Sequence, residues 1–489
     1  MAEPARGGSV SFGGALSVLA FLALAIVTQV FVLDNADATQ ITLIIVTAYA
    51  SVVAMLHGFR WTQVQDAILY GCRLAMLPML ILMLVGVLIA SWSAAGTIPA
   101  LIYFGVQLLS PDYFLFSACL VCAIGSLSTG SSWTTAATFG VAFMGIGYGL
   151  GVPPAHTAGA VISGSVFGDK MSPLSDSTNL AAGVAQADLF DHIRSMVYST
   201  GPAMVLTLGL FLAWGLFAGR EGAVDTTAIT VMTGAIAANY SLNPVTLLPP
   251  LLVVGLIIAG VGGLAVMVLA SLAGMVIALT LQGVGPAALL SFMNFGYESA
   301  VGLPEIDAML SGGGLQNMMW TISLGFVALS MGGVLEETGM LRVILERMSH
   351  LVSSLRGLAL THVAASILVN LVSASQFMAL IIPTRMLVPV YRRFRLLPQV
   401  CSRVAEDSAT VTSPLVPWGL GGVYYSTVLG VATLDYLPYT LLALLAPLAT
   451  LTLAFTNRFM FREGDIPSVR HYAEEMPAVG ADKAGRAES

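Results

Sequence analysis

Charge is what this chain most lacks. Asp, Glu, Lys and Arg make up 9% of its 489 residues, against roughly 25% in a soluble domain. Hydrophobic residues make up 57%, and mean hydropathy is +0.88. So few charges cannot clothe a water-facing surface. That excludes a soluble enzyme, although the length alone would fit about three soluble domains. Lysine is nearly missing: Lys170 and Lys483 are the only two. Neither is followed by Ser or Thr, so the chain has no phosphate-binding loop and no ATP-driven chemistry is expected. Cysteines are four. Cys119 and Cys122 form a CxxC, but inside an apolar run, where they read as two small hydrophobes rather than a redox or metal pair. The net charge of −7 lies largely in termini and loops and gives no sign of nucleic-acid binding.

What the sequence has is a series of continuous apolar runs. A helix crossing the hydrocarbon core needs about 20 such residues. Continuous runs, unlike alternating ones, argue for helices over a β-barrel. Spans are expected at 14–33, 41–57, 74–95, 193–217, 246–261, 264–281, 321–335 and 437–456. The first lacks a small-residue cleavage site and further spans follow at once, so it reads as a span rather than a signal peptide. Run 98–109 suits an interfacial arm. Runs 113–148 and 361–391 suit helical hairpins, and runs 157–186 and 400–429 each have a polar centre. The expected fold is an all-α polytopic membrane protein.

The two halves look related. Val85-Gly-Val-Leu88 precedes a Gly-containing turn and an amphipathic stretch, and Gly332-Gly-Val-Leu335 does the same. Each half then has a polar interruption, 126–132 and 373–376, and a second, 172–179 and 410–417. The first copy (1–218) is followed by the least apolar internal stretch, 219–245, which reads as a linker. The second copy runs over 246–461, and the polar residues 462–489 read as a disordered cytoplasmic tail. Loops 34–40 and 96–112 carry no basic residue, whereas Arg342, Arg347, Arg356, Arg385, Arg392, Arg393 and Arg395 crowd the loops of the second copy. Basic loops stay in the cytoplasm. The copies are therefore expected in opposite orientations, with both termini cytoplasmic. Inverted repeats with paired polar breaks point to a secondary transporter.

The breaks hold the candidate chemistry. The first reads Gly168-Asp-Lys-Met-Ser-Pro-Leu-Ser-Asp-Ser-Thr-Asn-Leu180. A lone charge at membrane depth costs at least about 2.5–3.5 kcal/mol. Pro173 removes a backbone donor and the hydroxyls compete for backbone groups, so the helix should unwind around a cavity. Asp169, Ser172, Ser175, Asp176, Thr178 and Asn179 are candidate oxygen ligands for a small hard cation, with Na⁺ expected at Asp176 and its neighbours. Lys170 reads as compensating carboxylate charge, or as an interfacial partner of Asp169. The second break adds Glu406, Asp407, Ser408, Thr410, Thr412, Ser413 and Pro414. Arg403 lies one turn before Asp407, which predicts an ion pair between them. The hairpin tips carry Ser131, Ser132, Ser375 and Gln376 as candidates for a central site. His156, after two prolines, reads as a satisfied or solvated histidine rather than a pH sensor.

These motifs carry a resemblance. Gly130-Ser-Ser-Trp133, Gly168-Asp-Lys-Met-Ser-Pro-Leu-Ser-Asp176 with Thr178-Asn-Leu180, and Glu406-Asp-Ser408 with Thr410-Val-Thr-Ser-Pro-Leu-Val-Pro-Trp418 resemble the NhaC-type Na⁺/H⁺ antiporter family, over roughly residues 40–455. Ser375 stands where members often carry an acidic residue. The resemblance implies the ion-transporter superfamily fold: re-entrant hairpins, two broken helices, and a dimeric arrangement of scaffold and elevator-type transport region. It also implies exchange of Na⁺ for protons.

The expected function is thus a secondary antiporter of a bacterial-type inner membrane. It needs no cofactor. One buried carboxylate binds either Na⁺ or a proton. An organic-acid exchanger of malate/lactate type is the alternative within the same fold, with Lys170 assisting a carboxylate. A channel is a further alternative, but it would need a continuous polar stripe, and polarity here is confined to the breaks.

Overall fold

The computed structural model describes residues 8–33, 38–218, 226–350 and 352–462. The described residues are helical apart from short turns and isolated bridges. Seven helices are long and apolar enough to cross a membrane, or eight if the pair Thr433–Tyr439 and Leu441–Thr456, bent by 54°, is one span. The chain is a multi-pass membrane protein. The tail lies outside the described residues, apart from Arg462, and so does 219–225 of the linker. The rest of the linker contains the helix Thr226–Asn239.

The longest helix, Trp61–Ala94, has 34 residues, about 51 Å at 1.5 Å per residue. Hydropathy alone marks only its second part. The first turns carry Gln63, Gln65, Asp66 and Arg73 and still continue the helix. It packs along Met319–Glu337 and Gly263–Thr280, forming a central wall. Each expected amphipathic stretch is a helix entered through a left-handed glycine: Gly96 (φ 72°) opens Thr97–Leu108, and Gly339 (φ 75°) opens Met340–Ser349.

Each run read as a hairpin consists of two helical arms joined at a tip. The first comprises Pro111–Thr129 and, after Gly130, a second arm running from Ser132–Thr135 through a wide turn to Val141–Gly149. The second comprises Leu355–Ser373 and Gln376–Arg393. At each tip a serine caps the outgoing arm. Ser131 Oγ accepts from Thr134 N at 3.2 Å, and Ser375 Oγ accepts from Met378 N at 3.4 Å. Such caps satisfy N–H groups that have no partner within the helix.

The two broken runs differ in form. The first is Pro154–Met171, four non-helical residues at 172–175, and Asp176–Ala185. In the second, Pro398–Ala405 widens into a π-helical segment, Glu406–Thr410, passes through the 3₁₀ turn Ser413–Leu415, and resumes at Leu420–Leu429. Small residues bring the first broken helix close to the first hairpin. A Cβ added at Gly168 would lie 2.6 Å from Ser126 Cβ, and one at Gly164 would lie 3.0 Å from Ala123 N. This small-xxx-small contact lets backbones approach in a membrane. It seats Cys119 and Cys122 as buried free thiols in a packed helix face.

Candidate functional site

The hairpin tips and the two breaks meet around one cavity of about 130 Å³. Gly130, Ser131 and Trp133 come from the first tip, Gln376 and Phe377 from the second. Asp169, Asp176 and Ser177 come from the first break, and Ser413, Leu420 and Gly421 from the second. A water molecule needs only about 10–15 Å³ on this scale, so a partly hydrated ion fits with room to spare. Leu77, Pro78 and Ile81 of the long helix close one side.

Asp169 is the carboxylate held most firmly on this wall. Its Oδ2 accepts from Ser132 Oγ at 2.6 Å and its Oδ1 from Ser175 Oγ at 2.6 Å. One donor belongs to the hairpin and the other to the break, so the two elements meet on the carboxylate. Asp176 also lines the cavity but is exposed. Ser175 caps the helix it opens, and its hydroxyl lies 3.1 Å from that of Ser177. Thr178 Oγ1 donates to the carbonyls of Asp169 (3.2 Å) and Lys170 (3.0 Å), tying the two sides of the break together. Asn179 donates to Pro173 O at 2.9 Å and Ser175 O at 2.8 Å, and Ser172 Oγ accepts from Leu174 N at 3.3 Å. These last two shape the turn from outside the cavity.

The charged pairings differ from the expected ones. Lys170 does not pair with Asp169. It forms a fully buried ion pair with Asp407 of the second break. Neighbouring side chains on a helix diverge by about 100°, and here Asp169 faces the cavity while Lys170 faces the second break. Thr200, on Leu189–Ala218, donates to the same Asp407 oxygen at 3.1 Å. Among the described residues no ion pair joins Arg403 to Asp407. The π-helical segment begins at Glu406, between them, and breaks the one-turn register on which that pairing depends. Arg403 instead donates to Ser195 O at 3.4 Å and to Met460 Sδ at 3.3 Å.

Glu406 is wholly buried, and neither carboxylate oxygen has a hydrogen-bond partner. The hydroxyls of Ser177 and Thr410 face it without closing a bond. Ser408 and Thr412 do not point to the cavity. Ser408 Oγ donates to Val404 O at 2.6 Å and Thr412 Oγ1 to Ser408 O at 2.5 Å. Asn370 of the second hairpin donates to Ala409 O at 2.7 Å and Thr412 Oγ1 at 3.0 Å, clamping the widened turn. Ser375 acts as the cap described above, and Gln376 reaches the cavity wall.

Sequence reasoning passed over Ser177, Phe377 and Thr200. Ser177 stands beside Asp176 in the polar run and was within reach of the same argument. Thr200 lies in an apolar span where nothing local marks it. Trp133 stacks on Tyr424 with ring centroids 4.3 Å apart, and its carbonyl accepts from Tyr424 Oη at 2.6 Å, linking the first tip to the end of the second break. His156 packs between Trp214 and Tyr439, with centroids at 4.6 and 4.1 Å.

A helical membrane protein whose broken helices converge on an acidic cavity belongs to the class of secondary transporters. The model of the Na⁺/H⁺ antiporter family matches residues 8–178 and 164–458, and the chain belongs to that family. It is a transporter, not an enzyme. It is 37% identical over 460 residues to the Na⁺/H⁺ antiporter NhaC of Alkalihalophilus pseudofirmus, covering 94% of this chain and 98% of that one. It is 36% identical over 480 residues to the arginine/ornithine antiporter ArcD of Halobacterium salinarum, covering 97% and 96%. It is 32% identical over 441 residues to the malate-2H⁺/Na⁺-lactate antiporter of Bacillus subtilis, covering 90% and 93%.

Proposed function

We propose that this protein exchanges Na⁺ for H⁺ through the cavity at Asp169, whose carboxylate binds either ion but not both. The observation that carries this reading is the placement of Asp169. It is the firmly held carboxylate on the wall where both tips and both breaks converge. Its oxygens retain lone pairs for a cation, and hydroxyl and carbonyl oxygens nearby supply hard ligands. A proton on Asp169 removes the charge that attracts Na⁺, which is the competition antiport needs. On this reading the hairpins and broken helices form a transport region that moves against the central wall, within a homodimer.

An organic-acid substrate fits the cavity less well. Its lining contains two aspartates and no Lys, Arg or His, so a carboxylate would find no cationic partner there. Lys170 is already engaged by Asp407.

The test is Na⁺-driven proton movement in proteoliposomes, read by a pH-sensitive dye. Asp169→Asn should abolish Na⁺-driven proton movement at every Na⁺ concentration, because an amide cannot take up the exchanged proton. Normal exchange in that variant would refute the assignment. Acceleration of wild-type exchange by malate or lactate would favour the organic-acid reading.

The orientation has its own check. With inverted copies and cytoplasmic termini, Ala38→Cys should react with an impermeant thiol reagent from outside and Ser353→Cys only from inside. Labelling of both from one side would overturn the inverted arrangement.

A further inference from the structure

Lys170 and Asp407 are 237 residues apart, come from different breaks, and are both fully buried. The Asp407 oxygen that Lys170 holds also accepts from Thr200, at 3.1 Å. One carboxylate oxygen thus joins three elements: the end of Pro154–Met171, the widened turn Glu406–Thr410, and Leu189–Ala218. Asp407 is absent from the cavity wall. Lys170 directly follows Asp169. Because successive side chains on a helix are set about 100° apart, anchoring Lys170 on Asp407 fixes the rotation of the helix end and with it the direction of Asp169, which meets Ser132 at the cavity. Thr178 bonds the carbonyls of both residues and fixes the backbone between these two directions.

We propose that Lys170, Asp407 and Thr200 form a positioning clasp that aims Asp169 into the cavity, and that Asp407 carries no transported ion. The proposal rests on the reading of Asp169 above and assigns the carboxylate of the second break a different task. An ion carrier must release and rebind its partners in each cycle. A clasp must keep its partners, and a carboxylate oxygen shared by a buried ammonium and a hydroxyl is built to keep them.

The charge exchange Lys170→Asp with Asp407→Lys separates the two roles. A reversed ion pair can still clasp, whereas a lysine at 407 cannot bind Na⁺. The full-length chain is reconstituted in proteoliposomes, and Na⁺-driven proton movement is measured against Na⁺ concentration. Asp407→Asn should raise the KM for Na⁺ about tenfold while exchange persists at saturating Na⁺, the effect of weakening one charged hydrogen bond. The exchanged pair should bring KM back toward the wild-type value. Thr200→Val should raise KM by roughly three- to tenfold, the range of a neutral hydrogen bond, and Thr200→Ser should restore it. A folded exchanged pair without transport overturns the proposal. So does Asp407→Asn that is inactive at every Na⁺ concentration, a result available even if the exchanged pair does not fold. A KM unmoved in both Asp407→Asn and Thr200→Val overturns it as well. Asp169→Asn, run alongside, keeps the two readings apart: normal exchange there defeats the ion site itself, whatever the clasp variants show.

Discussion

In the first break the chain leaves the helix altogether over 172–175, and two of its carboxylates reach the cavity. In the second the helix first widens over Glu406–Thr410 and leaves helix only later, over 416–419, and both carboxylates lie on the widened part, buried and off the cavity wall. The same ingredients, acids, hydroxyls and a proline, therefore put carboxylates on the cavity wall in one half and off it in the other, where Ser413 is the polar residue that reaches the wall. The difference lies in what the hydroxyls bond. Ser175 spends its hydroxyl on the Asp169 carboxylate, whereas Ser408 and Thr412 spend theirs on their own helix's carbonyls. Side chains that back-bond bend or widen a helix. Side chains that bond a carboxylate hold a charge in place.

This comparison is sharpest at the ion pair between the breaks. Lys170→Met leaves Asp407 buried and charged without its ammonium. Removing one partner of a buried pair costs about 3–5 kcal/mol, so thermal unfolding in detergent should fall steeply. Lys170→Met combined with Asp407→Leu should recover most of the loss. If Lys170→Met alone unfolds like the wild type, the pair does not join the two halves.

The tips should respond in opposite senses. Gly130 takes φ 65°, and a Cβ there would lie 2.7 Å from the Leu174 carbonyl carbon, in the first break. Gly130→Ala should therefore destabilise by more than the roughly 1–2 kcal/mol of left-handed strain alone. The second tip has Ala374 at φ 56°. Ala374→Gly removes that strain at an entropic cost of about 0.5–1 kcal/mol, leaving a small gain in midpoint temperature. A Gly130→Ala loss no larger than about 1–2 kcal/mol would mean that the turn's conformation alone, and not its contact with the break, governs the first tip.

The smallest effect belongs to Asp307, a carboxylate outside both breaks and the membrane spans. The Ser299 hydroxyl and the backbone N–H groups of Val301 and Gly302 hold its carboxyl below the usual range. A depressed folded-state pKa gives support that is present above the ordinary Asp value of about 3.9 and lost as pH falls through the lower folded value. Hydrogen exchange at Val301 and Gly302 should thus stay slow at neutral pH and quicken only in acid, and Asp307→Asn should quicken it at neutral pH. Protection lost well above that range would assign it to another group.

Composition made the spans, hairpins and breaks legible, because apolar length and polar interruption are local properties. The polar run that holds Asp169 and Asp176 was legible for the same reason, but the reading centred on Asp176, whereas the hydroxyls of Ser132 and Ser175 meet on Asp169. The pairings were not legible. Lys170 selects a partner in the other half rather than its neighbour, and the Arg403–Asp407 spacing holds only in a regular helix. The widened turn that spoils it is clamped by Asn370, from a hairpin nearly 40 residues away, |i−j| = 39. No window of sequence displays that contact. The first turns of Trp61–Ala94 escaped hydropathy because a helix continuing beyond the apolar core need not be apolar.

The ion pair between the breaks also sets a schedule for synthesis. A ribosome adds about 5–20 residues per second, so the 237 residues from Lys170 to Asp407 take roughly 12–50 s to emerge. Throughout that time the first half holds an ammonium whose partner does not yet exist. Until Asp407 emerges, the first half cannot close this contact. A ribosome stalled between these two residues would leave in the membrane a first half whose Lys170 has no Asp407 to meet.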